Sequence, residues 1–221
     1  MSRDQDAVFR TGEGDAWLAR NRAHLETYAM DADPLARALA WAGLRPRRIL
    51  DLGCSLGTRL STWCDGFPAE GCGVDPSAGA IAAAAARDPA RRWQVGTVDQ
   101  PGALPWRADL VVLSFVLHWI DRDRLLAALA AIDAALEPGG HVLIHDFWPE
   151  RPERRAYHHL PGAGVFTWKA DYPAMLEATG LYQPVQRQAL AYPGWGPAAA
   201  GDVRSLLALL RRRRADEIPE V

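Results

Sequence analysis

Arg48-Ile-Leu-Asp-Leu-Gly-Cys-Ser-Leu-Gly57 is the stretch that decides the fold of this chain. Its apolar first half predicts a short buried strand, and Gly53 and Gly57 bracket a tight loop that leads into a helix. Glycine has no Cβ, so the backbone there can curl beneath a ligand. The next apolar run ends at Asp75, where a carboxylate can accept hydrogen bonds from both hydroxyls of a ribose. Together the two segments predict a site for a ligand that contains a nucleoside.

The spacing of the loop argues against a dinucleotide. A pyrophosphate favours Gly-x-Gly-x-x-Gly with bare amides at a helix N-terminus, whereas Ser55 occupies the middle position of this loop. Asp51 also places a negative charge just ahead of the loop. That charge suits a ligand with an ammonium and a sulfonium better than a ligand with phosphates.

Four segments, taken in order, resemble the Rossmann-like (class I) S-adenosylmethionine-dependent methyltransferases. The first two are the glycine loop and Asp75. The third, Gly96-Thr-Val-Asp-Gln100, lies where this family commonly places an acidic residue near the adenine amine. The fourth comprises residues 109–119 and 136–146, which are similar to the family's fourth and fifth strands and include a Pro-Gly-Gly turn. The resemblance covers roughly residues 47–147.

The resemblance implies that the chain binds S-adenosyl-L-methionine and releases S-adenosyl-L-homocysteine. It implies a set of cofactor-binding residues: Asp51 near the amino-acid part, Gly53, Cys54, Ser55 and Gly57 in the cradle, Asp75 and Pro76 at the ribose, Val98 and Asp99 at the adenine, and Ser114 and Phe115 near the sulfur. Arg20, on the first predicted helix, and Arg59, in the helix after the glycine loop, are further candidates to clamp the cofactor's carboxylate or an acidic acceptor.

Purely structural interpretations of these residues stay open. The glycine loop can be a simple turn between a strand and a helix, and Asp75 can cap the helix that begins at Pro76. Asp99 can be an ordinary loop carboxylate, and Arg20 can lie on a solvated helix face.

Histidines dominate the candidates for chemistry. The methyl group on a sulfonium is already activated, so a general base helps only where the acceptor must lose a proton, a task that suits histidine. His118 follows the fourth strand and His145 ends the fifth, at the sheet edge where open α/β sheets bind ligands. Tyr157 and His158 lie just beyond, in a segment that can fold over as a lid. The hypothesis is that His145 or His158 accepts the proton; packing or surface solvation is the alternative for each histidine.

Composition restricts the class of protein. The 221 residues, 49% of them hydrophobic, predict one α/β domain with a full core. The formal net charge of -2 provides no global attraction to nucleic acid, and the fourth strand ends in Leu-Ser-Phe-Val where nucleic-acid methyltransferases carry Asn/Asp-Pro-Pro-Tyr. The expected partner is therefore a small-molecule acceptor and not a nucleic acid or a membrane.

Cysteine usage and the N-terminal segment bear on compartment and metals. The three cysteines form no Cys-x-x-Cys array, so neither a disulfide framework nor a zinc site is indicated, and we expect no metal and a reducing cytoplasm. The N-terminal segment is polar, and no apolar run is long enough to cross a bilayer.

Strands and helices are expected to alternate from residue 47 to about residue 147, which requires a parallel sheet with right-handed crossovers. The predicted strands are 48–52, 71–75, 92–96, 109–114, 140–146, 184–191 and 204–211, and the predicted helices are 57–65, 77–87, 121–136 and 171–179, with two more between 15 and 43. Residues 204–211 are ambiguous between strand and helix by periodicity; the resemblance favours a strand.

The predicted architecture is a three-layer Rossmann-like sandwich around a mostly parallel seven-stranded sheet with an antiparallel last strand. Residues 1–46 form an N-terminal helical cover, and residues 47–221 form the methyltransferase domain, in which 148–170 is a lid or substrate insertion. The expected activity is methyl transfer from S-adenosylmethionine to oxygen or nitrogen of a small molecule. An NAD-dependent oxidoreductase, a non-catalytic scaffold that retains the cradle, and a protein or RNA methyltransferase are the alternatives.

Overall fold

Short apolar segments build the central sheet of this protein. A computed structural model describes residues 5–192 and 204–218. The strands are β1 Arg48–Leu52, β2 Glu70–Asp75, β3 Arg92–Val95, β4 Ala108–Ser114, β5 Leu136–Phe147, β6 Glu153–Ala156, β7 Phe166–Lys169, β8 Tyr182–Ala191 and β9 Arg204–Arg212. Seven of them form one sheet in the order β3-β2-β1-β4-β5-β9-β8. Neighbours among β1 to β5 are parallel, and β9 runs antiparallel to both β5 and β8.

Helices cover both faces of the sheet. The α-helices are α1 Gln5–Val8, α2 Gly14–Glu26, α3 Pro34–Trp41, α4 Thr58–Gly66, α5 Ala78–Arg87, α6 Leu125–Ala135 and α7 Tyr172–Glu177, and a π-helical turn, Phe9–Glu13, joins α1 to α2. Successive strand residues point to opposite faces. In β4, Val111 packs with α6 and α7 residues in one buried cluster, while Val112 packs with α3 and α4 residues in the other. The chain is therefore a three-layer α/β/α sandwich, as predicted.

All seven predicted sheet strands are present, including the ambiguous last one. In β9, Leu206, Ala208 and Leu210 join one core cluster, and Leu207 and Leu209 join the other. Because the strand is buried on both faces, its sequence is a continuous apolar run with no period of its own. Pairing with β5 and β8 on its two sides is what makes it a strand.

Three segments differ from the sequence-based expectation. Residues 5–13 are helical, although no helix was expected before residue 15. Strand β5 begins at Leu136 and not near 140, because the Pro138-Gly139-Gly140 turn lies inside the strand as a register shift opposite β4. The segment 148–170, expected to lack regular structure, contains the antiparallel β6–β7 hairpin. Within the described residues, no helix is long and apolar enough to cross a membrane.

Gly57 is required at the start of α4 for two independent reasons. Its φ of 64° lies in the left-handed region that favours glycine. A Cβ at this position would lie 2.1 Å from the Trp93 ring of β3, far inside van der Waals contact. Gly43 shares the first property, with a φ of 67°, but an added Cβ there would meet nothing within 4 Å.

We therefore expect Gly57→Ala to lower the free energy of unfolding by about 3 kcal/mol, and the matched Gly43→Ala variant by only about 1 kcal/mol. The smaller loss is the cost of the left-handed backbone, and the excess is the cost of moving the Trp93 ring. Urea unfolding followed by tryptophan fluorescence measures both values. Equal losses in the two variants would contradict the steric role of the Trp93 ring.

Candidate active site

The glycine loop between β1 and α4 curls over the carboxyl end of β2. The Gly53 N–H donates to the Val74 carbonyl at 2.7 Å, and the Cys54 N–H donates to the same oxygen at 3.1 Å. Ser55, with a φ of 49°, turns the chain back, and the Gly57 N–H closes the loop on the Cys54 carbonyl at 2.8 Å. The loop is thus held by backbone hydrogen bonds, and it is the tight turn into a helix that the sequence predicted.

Asp75 ends β2 directly beneath this loop. One carboxylate oxygen accepts the Ser55 N–H and the other accepts the Ser77 N–H, both at 2.9 Å. Burial raises the pKa of Asp75 to about 6, although both backbone hydrogen bonds act to lower it. A carboxylate oxygen has two lone pairs, so each oxygen can still accept a hydrogen bond from a ligand hydroxyl. Asp75 does not cap α5 directly, since Ser77 accepts the capping hydrogen bond from Ala80.

A cavity of about 920 Å³ opens at the carboxyl edge of the sheet, beside the glycine loop. The predicted site residues that line it are Arg20, Gly53, Cys54, Ser55, Asp75, Pro76, Val98, Ser114, Phe115, His118, His145, Tyr157 and His158. A non-catalytic scaffold would fill this edge with an apolar plug, whereas the described residues enclose a space large enough for two small ligands.

Three predicted cofactor residues do not line the cavity. Gly57 packs against Trp93, as described above. Asp51 is 2% exposed, and burial raises its pKa to about 6, against the opposing effect of Arg59. Asp99 accepts a hydrogen bond from Thr97 at 2.8 Å and forms an ion pair with Arg124. Its carboxylate is therefore engaged within the protein, and of the two predicted adenine residues only Val98 lines the cavity.

His118 and Asp146 form a buried pair where β4 and β5 end. The His118 Nδ1 lies 2.8 Å from one Asp146 oxygen, and the His118 backbone N–H donates to the other at 3.2 Å. The Phe147 N–H also donates to Asp146, at 2.7 Å. Because a carboxylate can only accept, Nδ1 is the donor in this contact, and Nε2 is the ring nitrogen that Asp146 leaves unengaged. His118 also lines the cavity.

Aromatic rings hold the His118 imidazole in place. The Trp119 and Phe147 ring centroids lie 4.8 and 4.9 Å from it. Phe115, the first residue after β4, has a φ of 56°, which is unusual for a bulky side chain. The Phe115 N–H donates to the His145 carbonyl at 2.7 Å, and its ring lies 5.0 Å from Phe147. Backbone strain of this kind concentrates at functional sites.

His145 occupies a different environment from His118. Its Nε2 lies 2.9 Å from the Ser205 hydroxyl of β9, and the residue is 1% exposed. Burial and, secondarily, the charge of Arg59 lower the pKa of His145 to about 4. The imidazole is therefore neutral at physiological pH and is a weak proton acceptor.

This pKa predicts that folding stability depends on pH through His145. The unfolded chain, with a histidine pKa near 6.5, binds the proton more tightly than the folded protein, so stability is lost as the pH falls from about 6.5 towards 4. Between pH 7 and pH 5 the contribution amounts to about 2 kcal/mol. Denaturant titrations at the two pH values should show a smaller loss in His145→Gln than in the wild type. His141, whose pKa burial also lowers, contributes equally to both proteins. An identical loss in both would contradict the assignment to His145.

The N-terminal helices and the β6–β7 hairpin meet over the cavity. The Tyr157 hydroxyl donates to Glu13 at 2.7 Å and accepts from Arg20 at 2.7 Å, while Arg20 also pairs with Glu13. Gln5 accepts the Phe166 N–H at 3.0 Å and donates to the Phe166 carbonyl at 2.8 Å. The hairpin is thus tied to α1 and α2 by polar contacts, and His158 lies exposed at its tip.

Sequence reasoning missed one pairing and one cavity residue. Asp146 was noted at the end of β5, but its pairing with His118 was not, even though adjacent parallel strands end at the same edge. Lys169, on β7, lines the cavity and is the single lysine of the chain, a signal visible in the sequence. Arg59, a sequence candidate for the cofactor's carboxylate, lines the cavity from α4 and pairs with Asp33 at 3.0 Å.

The residues present fit S-adenosylmethionine, the cofactor that the fold implies. The Asp75 carboxylate faces the cavity with unused acceptor capacity for the two ribose hydroxyls. The Ser55 hydroxyl, in the glycine loop over Asp75, is buried and lacks a hydrogen-bond partner among the described residues. No group of three or more metal-ligating side chains exists in the part of the chain that the structure describes.

Comparisons with known proteins identify the family of this chain. The family described as a methyltransferase domain matches residues 20–191. A solved structure of the 1,6-didemethyltoxoflavin-N1-methyltransferase of Burkholderia thailandensis, with bound 1,6-didemethyltoxoflavin and S-adenosylhomocysteine, is 22% identical; the match covers 96% of this chain and 91% of that one, with a TM-score of 0.74.

Two further structures share the fold. The N-methyltransferase NodS of Bradyrhizobium japonicum, in complex with S-adenosylhomocysteine, is 19% identical over 83% of this chain and 90% of that one, with a TM-score of 0.56. CalS10, an amino pentose methyltransferase from Micromonospora echinaspora with bound S-adenosylmethionine, is 18% identical over 88% of this chain and 96% of that one, with a TM-score of 0.59. The match to the family, the strand order and the loop over Asp75 lead to one conclusion: the chain belongs to the class I S-adenosylmethionine-dependent methyltransferases.

Proposed function

We propose that this methyltransferase acts on oxygen or nitrogen of a small, flat acceptor, and that His118 accepts the acceptor's proton. The observation that carries the proposal is the His118–Asp146 pair, with its 2.8 Å contact, at the wall of the cavity. Sequence analysis favoured His145 or His158 for this task. The contacts favour His118 because it lines the cavity and its imidazole has a carboxylate partner that leaves the second ring nitrogen unengaged.

The cofactor half of the site is assigned to the glycine loop and to Asp75. Asp75 binds the ribose hydroxyls, Val98 packs on the adenine, and Asp51 contributes a negative field that favours the cationic cofactor. Arg59, which lines the cavity beside the loop and contacts Asp33 through its Nε, is the candidate for the cofactor's carboxylate. Arg20 contacts both Glu13 and Tyr157 through one terminal nitrogen and helps to hold the hairpin instead. When bound, S-adenosylmethionine supplies a methyl group that its sulfonium has already activated.

The acceptor half is assigned to the aromatic residues and to the hairpin. Phe115, Phe147 and Trp119 surround His118 and provide flat apolar surfaces for a ring. The Burkholderia protein binds 1,6-didemethyltoxoflavin and CalS10 acts on an amino pentose, which supports a small-molecule acceptor. We infer that residues 148–170 act as a lid, because Tyr157 ties this segment to the N-terminal helices across the cavity.

His118 and Asp146 divide the proton transfer between them. The His118 Nε2 takes the proton from the acceptor's oxygen or nitrogen, and Asp146 holds the ring and stabilises the imidazolium that forms. Burial strengthens this stabilisation because little water screens the pair. Nucleophile and methyl group need alignment more than activation, so the rigid aromatic walls contribute by positioning. We also infer a cytoplasmic setting, where the three buried free thiols stay reduced.

Calorimetry with S-adenosylhomocysteine and NADH, followed by transfer of labelled methyl groups to a panel of bicyclic phenols and N-heterocycles, tests the proposal. We expect binding of S-adenosylhomocysteine alone, and transfer to at least one flat acceptor. Binding of NADH alone would favour the oxidoreductase alternative. Transfer to protein or RNA but to no small molecule would overturn the assignment of the acceptor.

A further inference from the structure

Lys169 is the single lysine of a chain whose other basic residues are arginines. It ends β7, where it pairs with Glu153 in the hairpin register, and its side chain lines the cavity. The residue is half-buried, and its Nζ lies 4.0 Å from the centroid of the Phe147 ring. An ammonium over an aromatic face gains some stabilisation but no neutralising charge.

The charge of Lys169 has no carboxylate partner among residues 5–192 and 204–218. No ion pair within 4 Å is formed by its Nζ. The Glu153 carboxylate, opposite in the hairpin, pairs with Arg155 at 2.8 Å, and the Asp146 carboxylate accepts from His118. Partial burial and the nearby Arg155 charge lower the pKa of Lys169, while the more distant charges of Glu153 and Asp146 act to raise it. The cavity therefore contains a partly desolvated cation that no described carboxylate contacts directly.

We propose that Lys169 binds an anionic group of the acceptor and so selects flat aromatic acids over neutral compounds of the same shape. The inference rests on the proposed function, whose acceptor site it describes more narrowly. An acceptor carboxylate or an acidic ring oxygen would restore the hydrogen bonds and the charge balance that Lys169 lacks. A neutral acceptor would leave the ammonium uncompensated.

The Phe147 ring contacts both Lys169 and His118, the residue proposed to accept the proton. Lys169 contacts the Phe147 ring from one side, and the His118 imidazole contacts the same ring edge-on, with centroids 4.9 Å apart. The anionic group and the methylated atom must then lie close together on one ring system. This arrangement favours an acceptor in which a negative charge neighbours the attacking hydroxyl or ring nitrogen.

Paired probes that differ by one charge test the inference at equilibrium. The protein is saturated with S-adenosylhomocysteine and titrated with 1-hydroxy-2-naphthoate and with 1-naphthol in a calorimeter. We expect the wild type to bind the naphthoate about tenfold more tightly than the naphthol. Lys169→Met should remove the preference, whereas Lys169→Arg should keep it. Arg92→Met, which removes one exposed positive charge of β3 outside the cavity, should behave like the wild type.

Binding of S-adenosylhomocysteine, measured first for each protein, distinguishes failure of the proposed function from failure of the role of Lys169. A wild type that fails to bind it would overturn the proposed function and with it the inference. A wild type that binds it but shows no preference for the naphthoate, or a Lys169→Met variant that retains the preference, would overturn the role of Lys169 alone. Unchanged melting temperature and S-adenosylhomocysteine affinity in Lys169→Met exclude misfolding as the cause of a lost preference.

Discussion

Asp75→Asn is expected to weaken the binding of S-adenosylhomocysteine about 100-fold, because two charge-assisted hydrogen bonds to the ribose are lost. An asparagine has one accepting oxygen where the carboxylate has two. Its NH₂ group would therefore face either the Ser55 or the Ser77 N–H, a donor that now binds an Asp75 oxygen. Isothermal titration calorimetry measures the loss directly.

We expect this substitution to change the free energy of unfolding of the ligand-free protein less than it changes the free energy of ligand binding. Burial raises the pKa of Asp75 to about 6, which shows that the charged carboxylate carries a desolvation cost in the ligand-free protein. A neutral asparagine does not carry that cost. The melting temperature of the free variant is therefore the measurement that separates a binding defect from a folding defect.

Asp51→Asn is the matched control. Asp51 is more deeply buried than Asp75, and burial raises its pKa to a similar value of about 6, but Asp51 does not line the cavity. We expect a loss well below that of Asp75→Asn, since Asp51 acts through its field and not through contact. Equal losses in the two variants would show that general electrostatics, and not a ribose contact, explains the effect of Asp75.

His118→Ala is expected to lower kcat about 1,000-fold for an acceptor that must lose a proton, within the range for loss of a general base. The affinity for S-adenosylhomocysteine should stay close to that of the wild type, because the substitution leaves the glycine loop and Asp75 in place. Single-turnover transfer of the labelled methyl group, with the cofactor saturating, measures the chemical step.

Asp146→Asn tests the positioning role of the carboxylate. The amide keeps the shape of the side chain but no longer stabilises an imidazolium, so kcat should fall and the pH dependence of the rate should shift. A purely structural role would lower stability without moving the pH profile. His158→Ala, at an exposed site, and His145→Gln, at a buried site with lowered pKa, are the controls and should retain turnover. Full activity in His118→Ala would remove the general base from the proposal.

The sheet could be predicted from sequence because its signals are local. Each of β1, β2 and β4 is a short apolar run, and glycines mark the loop where the chain must reverse. A backbone conformation that favours glycine can be recognised from the position of glycines in the sequence. The glycine loop and the strand ending at Asp75 were therefore placed correctly. Strand β9 was the exception among the strands, because burial on both faces removes the period that distinguishes strand from helix.

The contacts of the candidate residues could not be predicted in the same way. Asp99 carries the charge expected near an adenine amine, yet Arg124, 25 residues away in sequence, pairs with it. His145 lies near the end of β5 and His118 follows β4, but β9 places Ser205 against His145, and β5 places Asp146 against His118. Which histidine gains a carboxylate depends on which strands are neighbours and in what register.

By itself, the sequence determined the order of the strands along the chain, the glycine loop and the position of Asp75, since these depend on local steric preference and burial. Only the tertiary structure decided that His118 faces Asp146, that Tyr157 joins the hairpin to Arg20, and that Lys169 lines the cavity with no ion pair among the described residues. The physical reason is that hydrogen bonds and ion pairs act over a few ångströms, and residues far apart in sequence reach that distance only when the sheet and its helices pack.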